Sequence, residues 1–193
     1  MTLLNKSYWE NRYTENETGW DIGVVSTPLQ TYIDQLTNKN ISILIPGAGN
    51  GYEFDYLLNK GFHDTYVMDI AQKPLDTILE RNEIEKKHLI HQDFFEHNGQ
   101  YDLIIEQTFF CALDPTLRRN YVTKMLELLK PNGKIIGLLF NFELTLEGPP
   151  FGGSKEEYID LFNDYFTIKT LENCYNSIKP RSNRELFFIF EKK

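Results

Sequence analysis

Ile43-Leu44-Ile45-Pro46-Gly47-Ala48-Gly49-Asn50-Gly51-Tyr52-Glu53 runs from an apolar stretch into a turn with glycine at every second position. Glycine adopts positive φ without penalty and lets a ligand come close to the backbone, so the stretch reads as a strand-to-helix turn that holds something. A dinucleotide fingerprint of the form G-x-G-x-x-G/A requires glycine or alanine where this chain has Tyr52, whereas G-x-G-x-G is satisfied. The spacing therefore points away from NAD and toward S-adenosylmethionine (SAM).

Outward from this turn, apolar β-rich runs alternate with segments of helical period, the order expected of parallel βαβ units. Strands are predicted at 41–46, 65–70, 88–91, 101–105, 134–140, 166–171 and 185–190. Helices are predicted at about 52–58, 74–81, 115–129 and 154–163, with Gly61 closing the first and Pro131-Asn132-Gly133 closing the third. The expected fold is α/β, a doubly wound, mostly parallel seven-stranded sheet of Rossmann-like type with an antiparallel strand at its end. Residues 1–193 read as one domain, with 1–38 as an N-terminal cap. Ligands of such sheets bind outside the carboxyl ends of the strands.

The 193 residues, 41% hydrophobic, suffice for a sizeable core, and the formal net charge of −8 would repel a phosphate backbone. Basic residues are scattered except around Lys179, Arg181 and Arg184, so nucleic acid is not expected as a partner. No apolar run approaches the roughly 20 residues that span a bilayer, and 1–12 has no signal-peptide core. A soluble, cytoplasmic protein without membrane association, monomeric or a weak homodimer, is expected. Cys111 and Cys174 stand far apart, and the four histidines include no H-E-x-x-H pair, so neither a disulfide nor a metal site is predicted.

Three further features lie at predicted strand ends. Asp69 closes the second strand about 20 residues after the turn, where an acid accepts from ribose hydroxyls; its plain alternative is a solvated loop carboxylate. Asp93, in Gln92-Asp93-Phe94-Phe95, can accept from an exocyclic amine while a ring packs on adenine, or simply cap a helix. After the fourth strand, Glu106-Gln107-Thr108-Phe109-Phe110-Cys111-Ala112 offers polar groups followed by a bulky wall, or a strand end turning into core. The Asn/Asp-Pro-Pro-Tyr motif of enzymes that methylate nucleic-acid bases is missing there. Before the first strand, Tyr8-Trp9-Glu10-Asn11-Arg12-Tyr13 and Gly19-Trp20-Asp21 contain both tryptophans. Trp9 and Tyr13, four apart, can pack one helix face on the core, or form a lid whose electron-rich faces attract a sulfonium.

These residues resemble the thiopurine methyltransferase superfamily, and within it the halide/thiol methyltransferases of plants and microbes. The similarity spans nearly the whole chain and includes Tyr8-Trp9-Glu10, Gly19-Trp20-Asp21, Thr27-Pro28-Leu29, Pro46-Gly47-Ala48-Gly49, Met68-Asp69-Ile70, Gln92-Asp93-Phe94-Phe95, Thr108-Phe109-Phe110-Cys111-Ala112 and Glu147-Gly148-Pro149-Pro150-Phe151. The resemblance implies that Trp9, Tyr13 and Trp20 surround SAM and that Gly47, Gly49 and Gly51 meet its methionine part. It implies Asp69 and Ile70 at the ribose, Asp93 and Phe94 at the adenine, and Gln107 near the cofactor. Tyr13 stands where tryptophan is usual, Gln107 where tyrosine is frequent, and Phe151 where relatives often carry the tyrosine that lines the acceptor pocket.

The activity so implied is methyl transfer from SAM to a small soft nucleophile: a thiol, thiopurine, bisulfide or halide. An anionic acceptor needs no strong base, and the sequence offers no His/Asp or Lys dyad at the strand ends. Phe110, Phe151 and Arg181 are the acceptor-pocket candidates. Arg181 and Arg184 can attract an anion or be solvated surface charge. Two rival readings remain at this level: an NAD-dependent oxidoreductase on the same sheet, and a SAM-binding sensor without catalysis.

Overall fold

The computed structural model describes residues 4–193; the first three residues of the predicted cap lie outside it. Seven strands form one sheet in the order β3-β2-β1-β4-β5-β7-β6. They are β1 (Ile43–Pro46), β2 (Thr65–Asp69), β3 (Leu89–His91), β4 (Tyr101–Gln107), β5 (Leu129–Phe140), β6 (Phe166–Asn173) and β7 (Glu185–Lys192). The pairs β1–β2, β1–β4, β2–β3 and β4–β5 are parallel, and β7 runs antiparallel to both β5 and β6. The antiparallel strand is thus not at the edge. The β6–β7 hairpin folds back so that β7 enters between β5 and β6.

Alternation along the strands divides the interior into two layers of core. Leu44 and Ile104 face one side with Tyr121, Met125 and Leu128 of α5 (Arg118–Leu128) and Tyr158 and Phe162 of α6 (Lys155–Phe162). Ile43, Ile45, Leu103 and Ile105 face the other side. There they meet α2 (Thr27–Ile33), α3 (Tyr52–Asn59) and α4 (Gln72–Arg81) through Leu29, Phe54, Leu57, Leu75 and Ile78. Both faces of a largely parallel sheet are covered, which is why its strands read as apolar runs.

Element boundaries differ by more than two residues from expectation at two places, both for local reasons. A 3-10 turn at Pro115–Leu117, capped by Asp114 accepting the Thr116 N–H at 2.9 Å, precedes α5. Strand β5 begins directly after α5, and Pro131-Asn132-Gly133 sits inside it as a bulge rather than before it. The pairing with β4 passes from Tyr101↔Leu129 to Leu103↔Lys134, and Asn132 takes a φ of 61°. Pairing resumes at Lys134, the predicted strand start.

The N-terminal helix α1 (Lys6–Thr14) buries none of its residues fully and is held by polar ties. Asn5 caps it by accepting the Tyr8 N–H at 3.0 Å, and Glu10 accepts the Gln72 N–H at 2.6 Å. That second contact sets a carboxylate at the positive end of α4. It seats α1 over the carboxyl edge of the sheet.

Candidate functional site

A cavity of about 560 Å³ opens at the carboxyl ends of β1, β2, β4 and β5, roofed by the N-terminal segment. Gly47 and Gly49 form its floor between β1 and α3, at φ of 74° and 52°. A Cβ on Gly47 would fall 2.8 Å from Phe109 Cδ2, so only glycine lets the β4 turn close over this one. At Gly49 nothing lies within 4 Å of the added carbon: the backbone there is open to the cavity.

Asp69 ends β2 with only 9% of its surface exposed. Its two oxygens accept the Ala48 N–H at 2.9 Å and the Ala71 N–H at 2.8 Å, tying the glycine turn to the start of α4. Burial outweighs those two bonds and pushes its carboxyl up to about 6. Each oxygen keeps a further lone pair for a hydroxyl donor. Ile70 lines the wall beside it. Toward β3, Asp93 accepts the Phe95 N–H at 2.8 Å, and Phe94 stacks on Tyr121 with centroids 5.6 Å apart. Asp93 thus caps its turn and also faces the cavity. The two readings made of it are compatible.

The roof is an aromatic cluster centred on Trp20, which meets Trp9 and Tyr13 edge to face at 5.6 Å each. Burial, with Asp69 nearby, raises the Tyr13 hydroxyl well above its ordinary value. The cluster is pinned from several sides: Asp21 accepts from Asn50 and from the Tyr52 hydroxyl at 3.3 Å, and Arg181 donates to the Trp20 carbonyl at 2.7 Å. All three predicted aromatics line the cavity.

On the β4–β5 side, Thr108 takes a φ of 58°, a conformation β-branched residues avoid. Glu106, fully buried, holds the turn in place: Oε1 accepts the Phe109 and Phe110 N–H groups at 2.7 and 3.0 Å, and Oε2 accepts the Tyr121 hydroxyl at 2.7 Å. Burial pushes its carboxyl up to about 7. Gln107 reaches the cavity and accepts the Ser26 hydroxyl at 3.3 Å. The far end is apolar, walled by Leu113, Leu117, Phe140, Phe142, Pro149 and Pro150. Two cations rim it, with the Arg181 guanidinium 5.7 Å from the Phe140 ring centroid and that of Arg184 4.5 Å from Phe142.

Three predicted site residues lie behind the wall instead. Gly51 is the left-handed N-cap of α3, and its Cβ would strike Ile78 at 2.6 Å, so its role is helix packing. Phe110 is 1% exposed, packed on Tyr121, Tyr158 and Phe162 beneath the Arg118 guanidinium. Phe151 is buried, its N–H donating to the Cys111 carbonyl at 2.8 Å and its ring filling the space a Gly148 side chain would need. Cys111 faces the cavity, its thiol raised by burial and donating to the Thr108 carbonyl at 3.3 Å. Residues that stand in the quoted motifs without an assigned role also line the cavity: Arg12, Asp21, Glu53, Gln92 and Phe95. Only Glu53 carried a usable signal, an acid in the first helical turn after the glycines.

A sequence model of the thiopurine S-methyltransferase family matches residues 4–192, almost the full chain. The chain belongs to the thiopurine S-methyltransferase family. It is thereby a SAM-dependent methyltransferase, and the oxidoreductase reading falls away. The chain is 31% identical over 168 residues to a probable thiol methyltransferase 2 of Arabidopsis thaliana, covering 82% of this chain and 72% of that one. It is 26% identical over 196 residues to a thiopurine S-methyltransferase of Acinetobacter baylyi, covering 88% of each. Among solved structures, a Burkholderia thailandensis 1,6-didemethyltoxoflavin N1-methyltransferase with bound S-adenosylhomocysteine shares the fold. Its TM-score is 0.78 at 17% identity, over 97% of this chain and 87% of that one. Among the described residues of this family member, no helix is long and apolar enough to cross a membrane.

Proposed function

We propose that this family member methylates a small, soft, anionic or readily ionised nucleophile, a thiol, thiopurine, bisulfide or halide. The observation that carries this reading is the far end of the cavity, where apolar walls from Leu113 to Pro150 meet the guanidinium groups of Arg181 and Arg184. An apolar wall suits a large polarisable atom, and the positive rim favours its anion while water is kept out.

The remainder of the cavity suits SAM. Gly47 and Gly49 leave backbone exposed for its methionine part, Asp69 has lone pairs free for ribose hydroxyls, and Asp93 with Phe94 and Phe95 fits an adenine. Trp9, Tyr13 and Trp20 offer electron-rich surfaces to a cation. When bound, SAM would supply an electrophilic methyl carbon for in-line transfer to the acceptor, with S-adenosylhomocysteine as the leaving group. The protein's own work is then positioning: the Glu106 clasp holds the Thr108 turn, the aromatic roof excludes water, and Arg184, beside the Arg181–Glu185 pair, draws the acceptor in.

Incubating the purified protein with SAM and a panel of iodide, bisulfide, an aromatic thiol and a thiopurine should give methylated product from at least one of them. No turnover across the panel would sink the proposal and favour a SAM-binding sensor.

A further inference from the structure

Glu53 lines the cavity from the first turn of α3 with 9% of its surface exposed. Its Oε1 accepts the Ser26 N–H at 3.2 Å, and burial pushes its carboxyl upward although the charge of Arg181 acts against this. Its acidic neighbours are better served. Asp21 takes three donors, from Gly23, Asn50 and Tyr52, and Asp69 takes two backbone N–H groups. Arg181 does not neutralise Glu53, because its guanidinium is committed to the Trp20 carbonyl at 2.7 Å and to Glu185 at 3.4 Å. Among the described residues no basic side chain forms an ion pair with Glu53. A buried carboxylate without a cation is costly to keep, and this one borders a cavity through which a cation can arrive.

The position along the sheet edge says which cation. Asp69 and Asp93 lie on the β2–β3 side, the glycine floor is central, and Glu53 is linked through Ser26 to Gln107 at the end of β4. A donor whose adenosine occupies the β2–β3 side extends its amino-acid end across the glycines toward Glu53. We propose that Glu53 is the counter-ion for the α-ammonium group of the methyl donor, with Ser26 fixing the carboxylate that receives it. The proposal rests on the SAM reading of the cavity. An ammonium, unlike a sulfonium, carries N–H donors that a carboxylate can accept, so the aromatic roof and Glu53 serve different parts of one molecule.

The test is calorimetric titration of the wild type and Glu53→Gln with two ligands. S-adenosylhomocysteine carries the amino-acid end; 5′-deoxy-5′-methylthioadenosine has the same nucleoside and thioether without it. The glutamine keeps an oxygen for the Ser26 N–H. Expected is a loss of about tenfold to a hundredfold for S-adenosylhomocysteine in the variant with the affinity for methylthioadenosine unchanged. The ligand-free variant should melt no lower than the wild type, because an uncompensated buried charge has been removed. Equal loss for both ligands assigns Glu53 a purely structural part and overturns the proposal, as does an unchanged affinity for S-adenosylhomocysteine. Failure of the wild type to bind either ligand overturns the SAM reading itself, and this proposal with it.

Discussion

Replacing Glu106 by glutamine should make the protein more stable at pH 8 and leave it nearly unchanged at pH 4.5. Glu106 is fully buried, and burial moves its carboxyl from 4.5 to about 7 in the folded protein. Folding therefore favours the protonated form. The stability linked to that proton is complete below pH 4.5, is lost between pH 4.5 and 7 as the unfolded chain ionises first, and is absent above. At about 1.4 kcal/mol per pH unit, this interval amounts to about 3 kcal/mol. A glutamine cannot ionise, and its oxygen can still accept the Phe109 and Phe110 N–H groups. Its amide can donate to the Tyr121 hydroxyl, which reverses its role. For a domain of this size the gain at pH 8 corresponds to about 6–12 °C in melting temperature. Urea unfolding of both proteins at intervals from pH 4.5 to 8.5 measures the difference directly, with the other carboxylates cancelling between them. A difference that stays constant with pH, or a variant less stable at pH 8, would refute the reasoning.

Gly47→Ala should weaken S-adenosylhomocysteine binding at least tenfold or so and destabilise by about 1–2 kcal/mol, since the new carbon meets Phe109 at 2.8 Å and φ is 74°; titration and melting curves check both. Affinity for S-adenosylhomocysteine should be flat above pH 7 and fall below pH 6, because Asp69 titrates at about 6 and a ribose hydroxyl prefers the charged acceptor. In Asp69→Asn the fall between about pH 7 and 5 should become shallower, leaving the part that comes from Glu53, along with a loss of about tenfold in affinity. Arg181→Met strands Glu185, 3% exposed, without its partner and should cost about 3 kcal/mol by urea unfolding, much of it recovered in the Arg181→Met, Glu185→Gln double variant. A single variant as stable as the wild type would show that the pair contributes nothing.

The order of elements was legible because parallel strands buried on both faces read as apolar runs, and the glycine turn announced where the sheet opens. Asp69 was legible because it ends such a run at a fixed distance from that turn. What escaped was set by packing rather than by pattern. Phe109 and Phe110 are adjacent and identical in type, yet only Phe109 faces the cavity while Phe110 sinks among Tyr121, Tyr158 and Phe162. Gly51 looks like its neighbours in the turn, but its freedom serves the approach of Ile78. Glu53, Ser26 and Gln107 are 27 and 81 residues apart along the pairs that join them, and no local periodicity signals such a meeting.

The direction of β7 determines how acceptor choice can change. Since β7 runs against β5, it is the start of this strand, not its end, that lies at the carboxyl edge, with Glu185 opposite Phe140. The connection from β6 to β7, carrying Arg181 and Arg184, is therefore delivered to the same rim as the glycine turn from the opposite end of the chain. The glycine floor is encoded in the first half of the sequence and the cationic rim in the last twenty residues, so the hairpin loop can be exchanged without altering the floor's own residues. A loop graft between relatives that keeps Arg181, whose guanidinium also holds the Trp20 carbonyl of the roof, offers a route to reprogramming the acceptor.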